Sequence, residues 1–381
     1  MARSVIRYWE KWGGQEERAM RGIVSAFNDS QDRFLVEMEA AGDWSSSPDL
    51  PRFLAARSSG KPPDVIGLED HQVLDLALQG LLIPIDRYPE DIFLPAFGRL
   101  GMVGRTAYGV PVSCNVVTLY VNCGAPPAEC RDLRAEMDIA SFDAFLREIE
   151  AEGRPGLVPS YPGWWPHMWP YLFGGAWFQE GRFSPDACAN VRAYEWVVDL
   201  AGRARNLGAN RFSASVNPIG RFDPDPFVSG EVAMVVEGDW LVRRLIQHPD
   251  LKWVPAPLPS LDGRPQALSV ADVLCIPRGA QNPDGAQAFI EFASEASNVE
   301  TLAIGQNKIS PLREWSGSFT ERHPNPQIET FRNILSTCNL VSDPRVPGWL
   351  GYLERVKAAF EAIWSGQKTP AEALTAIRDA P

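Results

Sequence analysis

The sequence predicts a mixed α/β protein of two lobes, and three observations carry that prediction. At 381 residues the chain is too long for one hydrophobic core, since single cores stop growing at roughly 250–300 residues. Its first third alternates strand and helix patterns. A strand–helix pair of the same kind returns late, at Leu268–Ile276 and Asp284–Ala293, beyond a central region of different style.

Ser4–Trp9 (SVIRYW) reads as the first strand. In Gln15–Asn28 the apolar residues Ala19, Met20, Ile23, Val24 and Phe27 recur at helical spacing, which makes one face of a helix apolar. Phe34–Glu39 (FLVEME) supplies a second strand, a helix follows around Leu50–Arg57, and a Gly-Lys-Pro-Pro turn leads to a third strand at Asp64–Leu68. A helix at Gln72–Gln79 is stopped by Gly80. Strands joined through helices pair largely in parallel, and ligands of such sheets sit beyond the carboxyl ends of the strands. The loops after the first and third strands are therefore the places to look for a site.

Tyr108–Asn122 is a long β-rich run. Ser141–Glu150 reads as a helix capped by Ser141, and Asn190–Arg205 as one with Val191, Tyr194, Val197, Val198 and Ala201 on a single face. Strand signals recur at Val232–Val236 and Trp253–Pro255, a helix is expected at Leu241–Gln247, and helices close the chain from Pro347 to Ala380.

Composition narrows the function. The 45% hydrophobic and 22% charged residues exclude a disordered chain or a small disulfide scaffold. A net charge of -12 argues against nucleic acid and anionic membranes, which are held by clustered Lys and Arg. Pro155–Gln179 lacks charged residues, but Pro159, Pro162, Pro166 and Pro170 interrupt it, and a lipid-exposed helix could hardly absorb them. The six cysteines include no CxxC, so zinc and thioredoxin chemistry find no support. Cys123 and Cys130 are near enough in sequence for a disulfide, with buried free thiols as the alternative.

Six phrases, in order along nearly the whole chain, carry a resemblance. They are the opening strand with Trp12-Gly13-Gly14, then Pro62–Ile66 leading into Leu76–Asp86, and Tyr108–Asn122. Phe227–Trp240 (FVSGEVAMVVEGDW) is the most specific, and Ile276–Pro283 and Ser365–Leu374 complete the series. In these the chain resembles the extracellular solute-binding proteins of bacterial ABC importers, in the cluster that includes maltose-binding protein. The resemblance implies a type II periplasmic-binding-protein fold, whose hinge strands let two lobes close over a small ligand before docking on a membrane permease. It implies an N-terminal lobe of residues 1–112 plus 268–312 and a C-terminal lobe of 113–262 plus 315–381, with crossings near 111–115, 257–267 and 312–316. A sugar or oligosaccharide is the commonest cargo, the protein would be a monomer in the periplasm or outside the cell, and lipid anchoring is left open. The signal peptide and cysteine-anchored start usual in the family are missing from this sequence.

A neutral sugar offers C–H faces that rest on flat indoles and a hydroxyl rim that needs donors and acceptors at fixed positions. The sequence is rich in both kinds of partner. Trp240, after Glu-Gly-Asp, stands where the family pattern puts a stacking aromatic, with packing at the start of a helix as the alternative; Asp239 beside it reads as that helix's cap, with a ligand hydroxyl as the alternative. Asn115, with Ser113 as a weaker neighbour, stands where the maltose-binding pattern carries an acidic contact. Trp164 or Trp165, with Trp169, are drawn from a segment holding more indoles than it can comfortably bury, although Trp169 could also begin a core helix. His167 reads as structural.

After the first strand come Glu10, Lys11 and Trp12, and after the third come Glu69 and Asp70, either on sugar hydroxyls or capping the next helix. Asp272, Arg345 and Trp349 complete the candidates. No metal or cofactor is expected, and nucleic acid is not a partner. A polyol or a quaternary ammonium compound in an aromatic cage is an alternative ligand. A glycoside-active enzyme would need two carboxylates at a fixed separation, and nothing in the sequence singles out such a pair.

Overall fold

The computed structural model describes residues 2–40, 50–124, 137–162, 165–209 and 225–378. The predicted alternation is present as β1 (Ser4–Glu10), α1 (Gly14–Ser30), β2 (Phe34–Ala40), α2 (Leu50–Ser58), β3 (Val65–Glu69) and α3 (Asp70–Leu78). Then come β4 (Gly109–Asn122), α4 (Ile139–Ala151), β5 (Leu157–Pro162), α5 (Cys188–Asn206), β6 (Met234–Gly238), β7 (Trp253–Ala256) and β8 (Gln266–Pro277). The chain ends through α6 (Pro283–Ala293), α7 (Ala296–Gln306), α8 (Ile328–Thr337), β9 (Asn339–Val341), α9 (Trp349–Trp364) and α10 (Pro370–Arg378). Shorter pieces are named below by their residues.

Two compact units result. Unit 1 comprises Met1–Asn115, Ser269–Pro324 and Arg345–Gly348, and unit 2 comprises Val116–Leu268, Asn325–Pro344 and Trp349–Pro381. The chain passes from one to the other within β4 and again within β8.

In unit 1, β1 pairs in parallel with β2 and β3, and β3 pairs antiparallel with β8. The periodicity of α1 buries Met20, Ile23, Val24 and Phe27, each worth roughly 1.5–3 kcal/mol relative to exposure. That face meets Phe289 of α6, whose ring centroid lies 5.4 Å from those of both Phe27 and Tyr8. Residues 345–348 return to this unit. Arg345 donates to the carbonyls of Leu100 and Met102, and Gly348 N–H to Asp75 Oδ1 at 2.8 Å.

Unit 2 is more mixed than a parallel sheet. β6 pairs in parallel with β5, but both β6 and β7 run antiparallel to β4, the strand that enters from unit 1. Its core gathers aromatics from distant segments: Tyr194 of α5 lies 6.2 Å from Trp177 and 5.5 Å from Phe360 of α9. Two local readings need correction. α4 begins two residues before Ser141, and its cap is Asp138, whose Oδ1 accepts the Ser141 N–H at 2.6 Å. The buried face of α5 runs through Ala193, Tyr194, Val197, Leu200, Ala201 and Ala204, while Val198 is exposed.

Cys123 is disulfide-bonded, Cys114, Cys188, Cys275 and Cys338 are free, and Cys130 lies outside the described residues. Among the described residues no helix is long and apolar enough to cross a membrane, and no group of His, Cys, Asp and Glu is placed to hold a metal ion.

Candidate functional site

Each unit gathers its own set of predicted residues. In unit 1 the set forms where β1 and β3 end. Alternation along β1 turns Ile6, Tyr8 and Glu10 inward, so the Tyr8 hydroxyl donates to Glu10 Oε2 while Glu10 Oε1 accepts the Trp12 N–H at 3.0 Å. Burial pushes the Glu10 carboxyl up, although those two hydrogen bonds and Lys11 pull it down. Glu10, expected to meet ligand, is thus an internal brace for the loop that carries Lys11 and Trp12.

Asp272 of β8 stands opposite Glu69 of β3 in the antiparallel register. That places its carboxylate between two buried ammoniums: Lys11 Nζ lies 2.6 Å from Oδ1 and Lys308 Nζ lies 2.8 Å from Oδ2. Burial alone would raise the Asp272 pKa, but the two cations override it and hold the carboxyl well below the usual range. Lys11 also reaches Glu69 Oε1 at 3.8 Å, and the other Glu69 oxygen lies 3.3 Å from His71 Nδ1. Both ammoniums sit by the Trp12 ring, at 4.6 and 4.9 Å from its centroid, where the negative π face attracts them. Trp12 Nε1 is buried with no hydrogen-bond partner among the described residues. The result is a basin of fixed charges, an indole and spare donors and acceptors.

Glu69 takes the capping role given as its alternative, as the N-cap of α3 in a reciprocal box with Gln72. Asp70 supports the basin from behind: its Oδ1 accepts the N–H of Ala271, the neighbour of Asp272, at 2.9 Å. Ser113 and Asn115 are buried on β4, and neither Ser113 Oγ nor Asn115 Oδ1 has a hydrogen-bond partner among the described residues. Arg345 is spent on backbone carbonyls and does not join the basin. Sequence reasoning missed Lys308, although one signal was available: it is the only charged residue in 301–312.

In unit 2 the set is aromatic. Trp240 and Trp165, both half-buried, pair with centroids 5.7 Å apart and planes tilted by 36°. Trp240 folds back over its own strand, so closely that a Cβ on Gly238 would fall 2.2 Å from a ring carbon. Beneath it the fully buried Glu237 accepts the Gly238 N–H at 2.9 Å and a side-chain bond from Trp240. Burial pushes this carboxyl up to about 8 against both bonds. Asp239, expected to cap a helix, instead accepts the Val116 N–H from β4 at 3.2 Å. Gly238→Ala should therefore displace the Trp240 ring and cost about 1–3 kcal/mol, the usual range for overpacking. Urea denaturation together with near-ultraviolet dichroism would check this; an unchanged aromatic spectrum would contradict the placement.

The remaining aromatic candidates divide. Trp169 is 1% exposed, begins the short helix Trp169–Leu172 and packs on Trp196 of α5 with centroids 6.0 Å apart. It is a core residue, as is Trp349, also 1% exposed, which packs against Phe183 and Tyr352. Trp164 lies outside the described residues. His167 Nε2 lies 3.4 Å from Asp343 Oδ1.

Residues 22–317 match the family model described as bacterial extracellular solute-binding protein. Among solved structures, one titled as CpMnBP1 with mannotriose bound is 23% identical, with a TM-score of 0.80 over 99% of each chain. The GacH receptor of Streptomyces glaucescens, solved unliganded and with acarbose, is 20% identical with a TM-score of 0.75 over 100% of this chain and 97% of that one. Maltose-bound MalE3 of T. maritima is 20% identical with a TM-score of 0.78 over 98% of each chain. At these identities the likeness establishes the fold. No curated protein matches the sequence.

Proposed function

The chain belongs to the bacterial extracellular solute-binding proteins, and on that premise we propose that it captures a neutral sugar or oligosaccharide, without chemical turnover, for delivery to the permease of an ABC importer. The observation that carries the reading is the Trp165–Trp240 pair, half-exposed and braced from below by Glu237. Two indoles held this way offer flat apolar faces to the C–H side of a pyranose ring. Unit 1 holds a polar set of its own, with Lys11, Lys308, Asp272 and Glu69 as donors and acceptors for hydroxyls. The mannotriose, maltose and acarbose named in the solved relatives support the same ligand class. In this reading β4 and β8, which run from one unit into the other, serve as the hinge, and the protein acts as an exported monomer.

The charge pattern favours a neutral ligand over a quaternary ammonium. Lys11 and Lys308 are balanced by Asp272 and Glu69, so the set offers no net negative field to hold a cation and suits a neutral ligand. Commitment of the acids favours binding over catalysis. A glycosidase needs a protonated carboxylic acid at the glycosidic oxygen, whereas Asp272 is locked ionised between two lysines. Glu237 does carry a raised pKa, but it is fully buried beneath Trp240 and bonded to the Gly238 N–H.

Calorimetric titration with mannotriose, maltose and glycine betaine tests the ligand class. A sugar should bind and be recovered intact; binding of betaine alone, or release of hydrolysed sugar, would reject the reading. Trp240→Ala should weaken binding of that sugar by roughly 30-fold or more, the loss typical of a central aromatic contact. An unchanged Kd would return Trp240 to a packing role.

A further inference from the structure

The end of α7 holds an unusual amide. Asn307 adopts φ 56° and ψ 41°, the left-handed conformation at a helix C-terminus. There the Lys308 N–H bonds the Ala303 carbonyl at 2.9 Å and the Asn307 N–H bonds that of Ile304 at 3.1 Å. These two bonds close the helix through the backbone alone, a task for which glycine is the preferred residue. Nothing in the cap uses the Asn307 side chain. It is nonetheless 1% exposed, and neither its Oδ1 nor its Nδ2 has a hydrogen-bond partner among the described residues. A buried amide without partners is costly, so the residue carries two penalties that glycine would avoid.

Its surroundings indicate what the amide is for. On one side, the Gly305 carbonyl accepts from Gln15 Nε2 at 2.9 Å, in the first turn of α1 just after Trp12. On the other, Lys308 lies on Asp272 and by the Trp12 ring. The next carbonyl, of Ile309, accepts from Cys114 Sγ, between Ser113 and Asn115. The neighbours Gly305, Lys308 and Ile309 thus make three ties to the elements that carry the unit 1 basin, and Asn307, like Ser113, Asn115 and Trp12, has buried polar atoms without partners among the described residues.

We propose that Asn307 is a ligand-contacting residue of this basin, whose side-chain amide meets a vicinal diol of the carbohydrate with one donor and one acceptor. The proposal rests on the carbohydrate reading above. A primary amide suits adjacent hydroxyls because it presents N–H and C=O side by side, and a site built to bond such hydroxyls discriminates against analogues that lack them.

Asn307→Gly tests it cleanly, because glycine suits the left-handed backbone and the two cap bonds remain. The variant should keep or raise the Tm of the wild type, while its Kd for whichever of mannotriose or maltose the wild type binds should rise roughly ten- to hundredfold. Asn307→Asp, which keeps the acceptor and loses the donor, should also bind more weakly. Equal Kd for Asn307→Gly and wild type would overturn the assignment while leaving the carbohydrate reading standing. A clear fall in Tm would overturn it too, because it would mean the amide is paired inside the fold. Failure of the wild type to bind either sugar would instead remove the carbohydrate reading, and this inference with it.

Discussion

Replacing Asp272 with alanine is expected to destabilise the protein by about 3–5 kcal/mol, the range for breaking a buried ion pair from one side. Lys11 and Lys308 would then face each other beside Trp12, at 1% and 2% side-chain exposure, with no carboxylate between them. Removing one cation instead, as in Lys308→Met, leaves the Lys11–Asp272 pair whole and should cost less. The linkage has a definite sign. Because Asp272 is held well below the usual carboxylate range, its contribution is present above the unfolded value of about 3.9 and is lost as pH falls through the lower folded value. Urea unfolding at neutral pH gives the comparison. Asp272→Ala matching the wild type in midpoint would show that the two lysines find other partners.

Glu237→Gln is expected to act in the opposite pH range. Burial pushes the Glu237 carboxyl up to about 8, against an unfolded value of about 4.3. Between those values the folded state keeps a proton that the unfolded state has released. Wild-type stability should therefore be fullest below the unfolded value and decline as pH rises through the folded one, by on the order of 5 kcal/mol in total. Glutamine is neutral throughout and nearly the same shape, so the variant should lose this decline. The charged and titratable groups beside Glu237, Tyr120 and Asp239, are common to both proteins and cancel in the comparison. Unfolding free energies at about pH 5 and pH 8.5 would decide it; parallel curves would mean that Glu237 ionises freely.

The elements of the N-terminal third were legible because each rests on local periodicity, two-residue in β1 and helical in α1. The same period held a site-level message that went unread: Glu10 shares the inward face of Ile6 and Tyr8, which makes it a brace for the loop and not a ligand contact. What sequence could not supply was partnership at a distance. Counting indoles suggested that some of the aromatic run stays uncovered, but only the packing of α5 decides that Trp169 is covered, by Trp196. Arg345 looked available until Leu100 and Met102, more than 240 residues earlier, placed their carbonyls beside it. Asp239 has the position of a cap, yet a strand N–H more than 120 residues away claims its carboxylate. Phe227–Trp240 was informative because its chemistry is local, a strand, a glycine and an indole folded over it.

Arg345–Gly348 gives the protein a particular timetable of assembly. Gly348 closes onto Asp75 across 273 residues of chain. At ~5–20 residues per second of synthesis, Asp75 waits on the order of 14–55 s for that partner to be made. During the wait β1, β2 and β3 exist without β8 or the Phe289 that fills their core. An isolated 1–115 fragment should accordingly remain unfolded and prone to associate. Folding of unit 1 is then a late event in the life of the nascent chain, open to any factor that binds unfolded segments in the interval.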